Sequence, residues 1–292
     1  MTAAAPAPAL AATLLKLGRV SNLPTVWTNV LASAVLSGGD WRSAKLGLMI
    51  VAMSLVYIGG MYLNDYFDRA IDARERPERP IPSGDIAAST VATIGFSFVG
   101  AGAIATAAMG PAAAALAALL AASVVAYDWR HKDNPFAPVV MGACRALVYG
   151  ATAAALSGGV TIFTAIAAVA IGAYVAGLTY AARQESLDKV GNLWPLLLLI
   201  APLAVAAGAV GKGFAALAVY LLLAAWIAAA AIYLLAKRPG VGAVSRAVGW
   251  LIAGISLGDA AILASVGAMV PALVAVGGFL LTLVAQRYVA GT

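Results

Sequence analysis

Tyr62-Leu63-Asn64-Asp65-Tyr66-Phe67-Asp68-Arg69-Ala70-Ile71-Asp72 decides how this chain is read. The stretch ends a long apolar run, so its carboxylates arrive where membrane hydrocarbon gives way to water. Charged groups near hydrocarbon are expensive and usually mark function. On a helix, Asn64, Asp68 and Asp72 at i, i+4 and i+8 share one face, and Asp65 flanks it. One amide and two or three carboxylates match the all-oxygen shell of Mg²⁺, which keeps several waters and takes further oxygens from substrate phosphate. The same residues also suit a solvated helix end with local Asp–Arg pairs, for which Arg69 and Arg74 are at hand.

Outward from that stretch the chain is apolar nearly throughout. Of 292 residues, 63% are hydrophobic and only 10% charged, against about 25% charged in a soluble globular protein. Continuous apolar runs, each long enough for a hydrocarbon core of about 30 Å, fall at 12–38, 45–66, 88–109, 111–128, 136–157, 160–182, 193–210, 213–236, 245–267 and 270–288. The expectation is an all-α polytopic membrane protein, a bundle of nine or ten helices. A β-barrel would alternate apolar and polar residues, and these runs do not. Residues 1–10 are rich in Ala and Pro and carry no basic residue. They read as a short disordered lead rather than a signal peptide, before a single domain over 11–292.

The distribution of Lys and Arg gives an orientation. One set of alternate loops holds Lys16, Arg19, Arg69, Arg74, Arg76, Arg79, Arg130, Lys132, Arg183, Lys189, Lys237, Arg238, Arg246 and Arg287; the other holds Arg42, Lys45 and Lys212. The positive-inside rule then expects both termini and the acidic motif on the cytoplasmic side of the cell inner membrane. The net charge of +6 is dispersed among loops and gives no reason to expect a nucleic-acid partner. One cysteine, Cys144, and one histidine, His131, exclude an internal disulfide, a cysteine cluster and a multi-His metal site.

After Asp72 the chain reads Ala73-Arg74-Glu75-Arg76-Pro77-Glu78-Arg79-Pro80-Ile81-Pro82-Ser83-Gly84. Three prolines stop the helix and are expected to hold the loop extended. Its arginines offer fork-shaped donors for phosphate oxygens, although positive-inside topology alone would also place them here. Asn64-Asp65-x-x-Asp68-x-x-x-Asp72 with Arg79-Pro80-Ile81-Pro82-Ser83-Gly84 resembles the first signature of the UbiA superfamily of intramembrane prenyltransferases. Arg19-Val20-Ser21-Asn22-Leu23-Pro24, Tyr127-Asp128-Trp129-Arg130-His131-Lys132 and Met141-Gly142-Ala143-Cys144-Arg145 are similar to further family segments, so the resemblance spans roughly 16–190.

The resemblance implies a bundle of about nine helices around a cavity open laterally to lipid, with the active site at the cytoplasmic face. It implies Mg²⁺-dependent transfer of a prenyl group from an isoprenyl diphosphate to a lipophilic acceptor, aromatic or polyol-type, within the bilayer. Asn64, Asp68 and Asp72 would then bind metal and diphosphate, with Asp65 assisting. Arg79, Arg130 and Lys132 become diphosphate contacts. Tyr62, Tyr66, Tyr127 and Tyr180 become aromatics for an allylic cation.

The family's second acidic motif is altered. Tyr180-Ala181-Ala182-Arg183-Gln184-Glu185-Ser186-Leu187-Asp188-Lys189 keeps Glu185 and Asp188, three apart and roughly on one face, and is similar to the divergent UbiA-like EboC proteins. Glu185 and Asp188 hold a second metal in shifted register, or Arg183 contacts the diphosphate in place of that metal, or the site binds without catalysis. Two charges fall inside spans. Arg145 either pairs with a carbonyl or with Asp259, or reaches the diphosphate from the cavity wall. Asp259 is either neutralised by protonation or pairing, or a base toward the acceptor. Cys144 reads as a small core residue. Gly59-Gly60, one turn before the motif, suits a close helix approach or a kink. Two other classes compete with the enzyme: a non-catalytic isoprenoid-diphosphate-binding membrane subunit, and a secondary transporter. The latter class places its sites near the midplane, often within internal repeats, and no repeat is evident here.

Overall fold

The computed structural model describes residues 7–130, 134–183, 192–237 and 242–291. Those residues form eleven α-helices: α1 (Ala7–Leu17), α2 (Leu23–Leu36), α3 (Ala44–Glu75), α4 (Ala88–Ala107), α5 (Pro111–Arg130), α6 (Ala137–Ser157), α7 (Ile162–Ala182), α8 (Ala201–Val205), α9 (Phe214–Lys237), α10 (Ala243–Ser265) and α11 (Met269–Ala285). Among the described residues eight helical segments of 18 or more residues are apolar enough to cross a membrane. The 17-residue α11 is a further, shorter apolar helix, and α1 and α2 cover the expected first span in two pieces. The protein is a multi-pass helical membrane bundle.

Three elements depart from uniform spans. The expected first span, 12–38, is broken after Leu17. Arg19 adopts a left-handed backbone (φ 41, ψ 46), one 3-10 turn covers Val20–Asn22, and α2 restarts with Pro24 in its first turn, a place where its missing N–H is harmless. The run at 193–210 is not one α-helix either. It passes from a 3-10 segment at Trp194–Ile200 through the single turn of α8 into a second 3-10 segment at Ala206–Gly211. Pro195 and Pro202 remove two N–H donors from that stretch. Finally, α3 outlasts its expected span. Its 32 residues extend about 48 Å, longer than a hydrocarbon core of about 30 Å, and its last turns carry the acidic motif without a break in the helix.

The bundle has two parts, joined by α2 and by the packing of α6 on α7. In the first, α3, α4, α5 and α6 pack in succession, and in the second α10 is surrounded by α2, α7, α9 and α11. Small residues let α10 take the centre: Ala253, Gly254, Ser256, Gly258, Ala260 and Ala261 are all buried. In lipid, where hydrocarbon gives no reason to hide apolar groups, such close packing is the main force between helices. The tail ends where the chain began, because Asn22 Nδ2 donates to the Gly291 carbonyl at 2.8 Å.

Gly59 marks a close approach, as its position predicts. A Cβ there would stand 2.7 Å from the Gly95 carbonyl oxygen and 2.8 Å from the Val99 amide of α4. Gly100 on α4 has open space around its missing Cβ. Gly59→Val is therefore expected to lower stability by about 1–3 kcal/mol, whereas Gly100→Ala leaves it unchanged or slightly higher. Thermal unfolding of the two purified variants measures the contrast, and equal midpoints would show that α3 and α4 do not meet at this contact.

Candidate functional site

The face of α3 that carries Met53, Val56, Tyr57, Gly60 and Met61 lines an apolar cavity shared with α2, α5 and α6. One turn further, the same face carries Asn64, then Asp68 and Asp72. All three, and Asp65, are buried, so the solvated-end reading does not describe them. Asp65 and Asp72 pair with Arg19 and Arg79 rather than with Arg69. Arg69 lies over the Tyr66 ring at 4.4 Å and donates to the Tyr66 carbonyl.

The carboxylates are gripped by Arg19 and Arg79. Arg19 Nη2 donates to Asp65 Oδ1 at 3.1 Å, while its Nη1 lies 3.1 Å from Met61 Sδ. Arg79 Nη1 reaches Asp65 Oδ1 at 3.2 Å and Asp72 Oδ2 at 3.0 Å. The loop that delivers Arg79 is not extended. It folds through successive turns, with Ser83 N donating to the Arg79 carbonyl at 2.9 Å and Ile86 N to the Pro80 carbonyl at 3.3 Å. Gly84 supplies a left-handed residue (φ 84), and Ile86 is buried with Leu17, Tyr62 and Val91. Local turns and an apolar anchor thus override the extended preference of the prolines.

A fourth acid joins the group. Asp128, at the end of α5 and only 3% exposed, accepts from Asn64 Nδ2 at 3.2 Å and lines the cavity beside Tyr127. The cavity therefore has an apolar depth between α2, α3, α5 and α6 and carries Asp128 on its lining; Asn64 joins Asp128 by a hydrogen bond, and Asp65, Asp68 and Asp72 continue along α3 beyond the lining and mark its acidic end. Among the described residues no three carboxylate, thiol or imidazole side chains lie close enough to hold a metal ion by themselves. That sparseness suits Mg²⁺, which completes its shell with water and phosphate, and the donors at this end are all oxygen and carboxylate-rich.

Other expected site residues are placed elsewhere. Tyr62 is turned to α1, its hydroxyl donating to the Leu14 carbonyl at 3.0 Å. Tyr66 packs edge-on against Phe67, with ring centroids 5.3 Å apart. The Tyr180 hydroxyl accepts from the Asn192 amide at 3.3 Å. None of these three tyrosines lines the cavity; Tyr127 and Tyr57 do. Arg130 is exposed and lies over the Trp129 ring at 4.6 Å, so it does not join the acidic end. Arg183 Nη1 donates to the Asn134 carbonyl at 2.7 Å. Lys132, Glu185 and Asp188, with His131, lie outside the described residues.

Arg145 lines the cavity wall deeper in the bundle. It does not pair directly with Asp259. Its Nη1 donates to Asn29 Oδ1 at 3.0 Å and its Nη2 to Thr25 Oγ1 at 3.2 Å. Asn29 Nδ2 in turn donates to Asp259 Oδ2 at 2.8 Å, and Tyr149 donates its hydroxyl proton to Asp259 Oδ1. Asn29 thus stands between a buried cation and a buried anion, using its carbonyl on one side and its amide on the other. Asp259 is 0% exposed, so a base acting on a cavity ligand is not what the packing provides. Cys144 is a buried core residue that also touches the cavity.

The profile of the UbiA prenyltransferase family matches residues 22–241. The chain belongs to that family. Among curated relatives, the digeranylgeranylglyceryl phosphate synthase of Methanothrix thermoacetophila is 41% identical over 76 residues, 26% of this chain and 28% of that protein. The synthase of the same name from Thermococcus kodakarensis is 30% identical over 147 residues, 49% of this chain and 48% of that protein. The chain thus spans about half or less of the length of these relatives. A solved UbiA homolog from Aeropyrum pernix K1 matches with a TM-score of 0.64 at 20% identity, covering 84% of this chain and 96% of that one. A solved digeranylgeranylglyceryl phosphate synthase matches with a TM-score of 0.60 at 19% identity, covering 90% and 99%. The family fold is therefore present across nearly the whole bundle.

The buried network makes a prediction of its own. Asp259→Ala leaves the Arg145 charge without its counter-ion and two buried donors without an acceptor, so it is expected to cost about 3–5 kcal/mol. Asp259→Asn keeps one acceptor and is expected to cost less. Thermal unfolding in detergent ranks the two, and equal midpoints would mean that the charge plays no part in holding α2, α6 and α10 together.

Proposed function

We propose that this chain is a Mg²⁺-dependent prenyltransferase that moves a prenyl group from an isoprenyl diphosphate to a lipophilic acceptor inside the membrane. The observation that carries the reading is one helix face that is apolar and cavity-lining from Met53 to Met61 and oxygen-rich from Asn64 to Asp72. Such a face suits a ligand with an apolar tail and a polyanionic head.

In this reading Asn64, Asp68 and Asp72 hold Mg²⁺, with Asp65 beside them and Asp128 facing them from α5. The ion, when bound, neutralises the charge that develops on the leaving diphosphate. Arg79 already sits among these carboxylates and is placed to turn its remaining donors to the diphosphate. The prenyl C1–O bond breaks with the electron pair leaving on diphosphate. A nucleophilic atom of the acceptor bonds to C1, and its proton passes to the released diphosphate. The dry wall of α2, α3, α5 and α6 takes the tail and keeps water from the allylic cation, with Tyr127 and Tyr57 as its aromatic lining. The names of the curated relatives favour a polyol-type acceptor carrying a glyceryl phosphate. Glu185, Asp188 and Lys132 complete the site in this proposal, and the excess of Lys and Arg at this end sets it in the cytoplasm, with the N-terminus, at the cell inner membrane.

Arg183 favours a second reading, because its guanidinium is engaged by the Asn134 carbonyl where the family carries an acid. A chain so altered would bind isoprenoid diphosphate without turning it over.

The purified chain, incubated with labelled geranyl, farnesyl and longer prenyl diphosphates, is expected to release diphosphate only with Mg²⁺ and an acceptor. Asp68→Ala should lower that release by roughly a hundredfold or more. Tight binding without turnover across glyceryl phosphate and aromatic acceptors would favour the binding subunit. Failure to bind any prenyl diphosphate would defeat both readings.

A further inference from the structure

A second cavity lies apart from the acidic one, in the other part of the bundle. It is a groove of about 440 Å³ at the same end of the membrane as Asn22 and the acidic motif. Helices α9 and α11 form its sides and α10 its floor. We propose that it binds an anionic phospholipid, with the headgroup phosphate between Arg246 and Arg287 and an acyl chain lying along Trp226, Trp250 and Leu283.

The groove is graded in polarity. Arg246, in the first turn of α10, and Arg287, just beyond α11, stand at its outer end, and both are exposed. Arg246 spends one donor on the Tyr233 hydroxyl at 3.0 Å, leaving the rest of a five-donor fork. One turn inward, Gly249 keeps the floor low; a Cβ there would meet Gln286 Oε1 at 3.6 Å. Deeper still the lining is aromatic and aliphatic. Trp226 is fixed by its indole N–H, which donates to the Trp250 carbonyl at 2.8 Å, and by an edge-on contact with Phe279 at 4.8 Å. Cations at the interface with an apolar slot beneath them match a lipid's own order of head and chain.

Among the described residues no Asp or Glu lines this groove. The sequence after Asp188 contains a single acid, Asp259, and that one is buried against Asn29 and Tyr149. Among the described residues no carboxylate faces the groove's two guanidinium groups, which suits an anion supplied from outside. Positive-inside topology explains cations at this face. It does not explain their convergence on one groove that continues into an aromatic slot. Basic pockets of this kind between transmembrane helices take anionic lipid headgroups.

Native mass spectrometry of the full chain, purified in uncharged detergent and exposed to phosphatidylglycerol, phosphatidylcholine or inorganic phosphate, tests this. Phosphatidylglycerol is expected to bind roughly thirtyfold more tightly than phosphatidylcholine, about fivefold for each arginine. R246Q/R287Q should abolish the preference, and R287Q alone should reduce it about fivefold if the double variant does not fold. Asp68→Ala should leave it unchanged, because the acidic cavity is separate. Equal binding of the two lipids overturns the proposal, as does a preference that survives in R287Q and the double variant. Displacement by equimolar inorganic phosphate would show an anion site rather than a lipid site. Loss of the preference in Asp68→Ala would assign the lipid to the acidic cavity instead.

Discussion

Compensation of carboxylates buried at the membrane end of α3 is the interaction on which the arrangement depends. Taking such charges out of water is strongly unfavourable unless each is paired and hydrogen-bonded. The chain answers with two arginines from separate segments. Arg19 is delivered by the break between α1 and α2, and its left-handed backbone is the conformational consequence. Arg79 is delivered by a loop folded on itself and pinned by Ile86. Arginine suits both positions because its planar fork can address two acceptors at once, as Arg79 does with Asp65 and Asp72. The local irregularities of the first part of the bundle are thus the means of bringing positive charge to one helix face.

The second part solves the same problem with different chemistry. Asp259 and Arg145 are opposite charges held apart by a neutral amide, and Tyr149 and Asn29 satisfy the carboxylate from both sides. Those residues lie on α2, α6 and α10, so the network ties the central helix to the wall of the cavity. Thr28, donating to Ser256 at 3.1 Å, adds a further polar stitch between α2 and α10. Packing of small residues around α10 sets the distance at which such short side chains can meet.

Much of this was readable in the residues, and the failures have identifiable causes. The period of α3 placed Asn64, Asp68 and Asp72 together. The same period, followed faithfully, turns Tyr62 and Tyr66 away, since they stand on the face opposite Asn64; sequence proximity to the motif was a poor guide for them. Run backward from Asn64, the period reaches Gly60 and Tyr57, both cavity-lining. Asp128 was hidden among Tyr127, Trp129 and Arg130, where a reading for basic residues passed over the acid. Arg19 looked like a topological charge because its partner is 46 positions away, and no local spacing reveals such a pair. The break at Gly18–Pro24 and the prolines at 195 and 202 were signals for the irregular passes that hydropathy alone smooths over.

The two charge systems also constrain the proposed chemistry. A cation on the wall of a dry cavity repels a carbocation nearby, and the effect is strong where water does not screen it. Arg145 would therefore oppose an allylic cation formed at its depth, were its field not offset by Asp259 through Asn29. At the other end, Asp128 and the motif carboxylates outnumber Arg19 and Arg79 and favour positive charge, with Tyr127 on the cavity lining beside them; the Tyr57 ring faces Arg145 at 5.7 Å instead. Positive charge is thus favoured near the α3 motif, while deeper in the bundle the opposite charges of Arg145 and Asp259 offset one another. In the proposed chemistry the diphosphate-bearing carbon would sit at the acidic end and the tail below it, an orientation favoured by charge as well as by the apolar lining of the cavity.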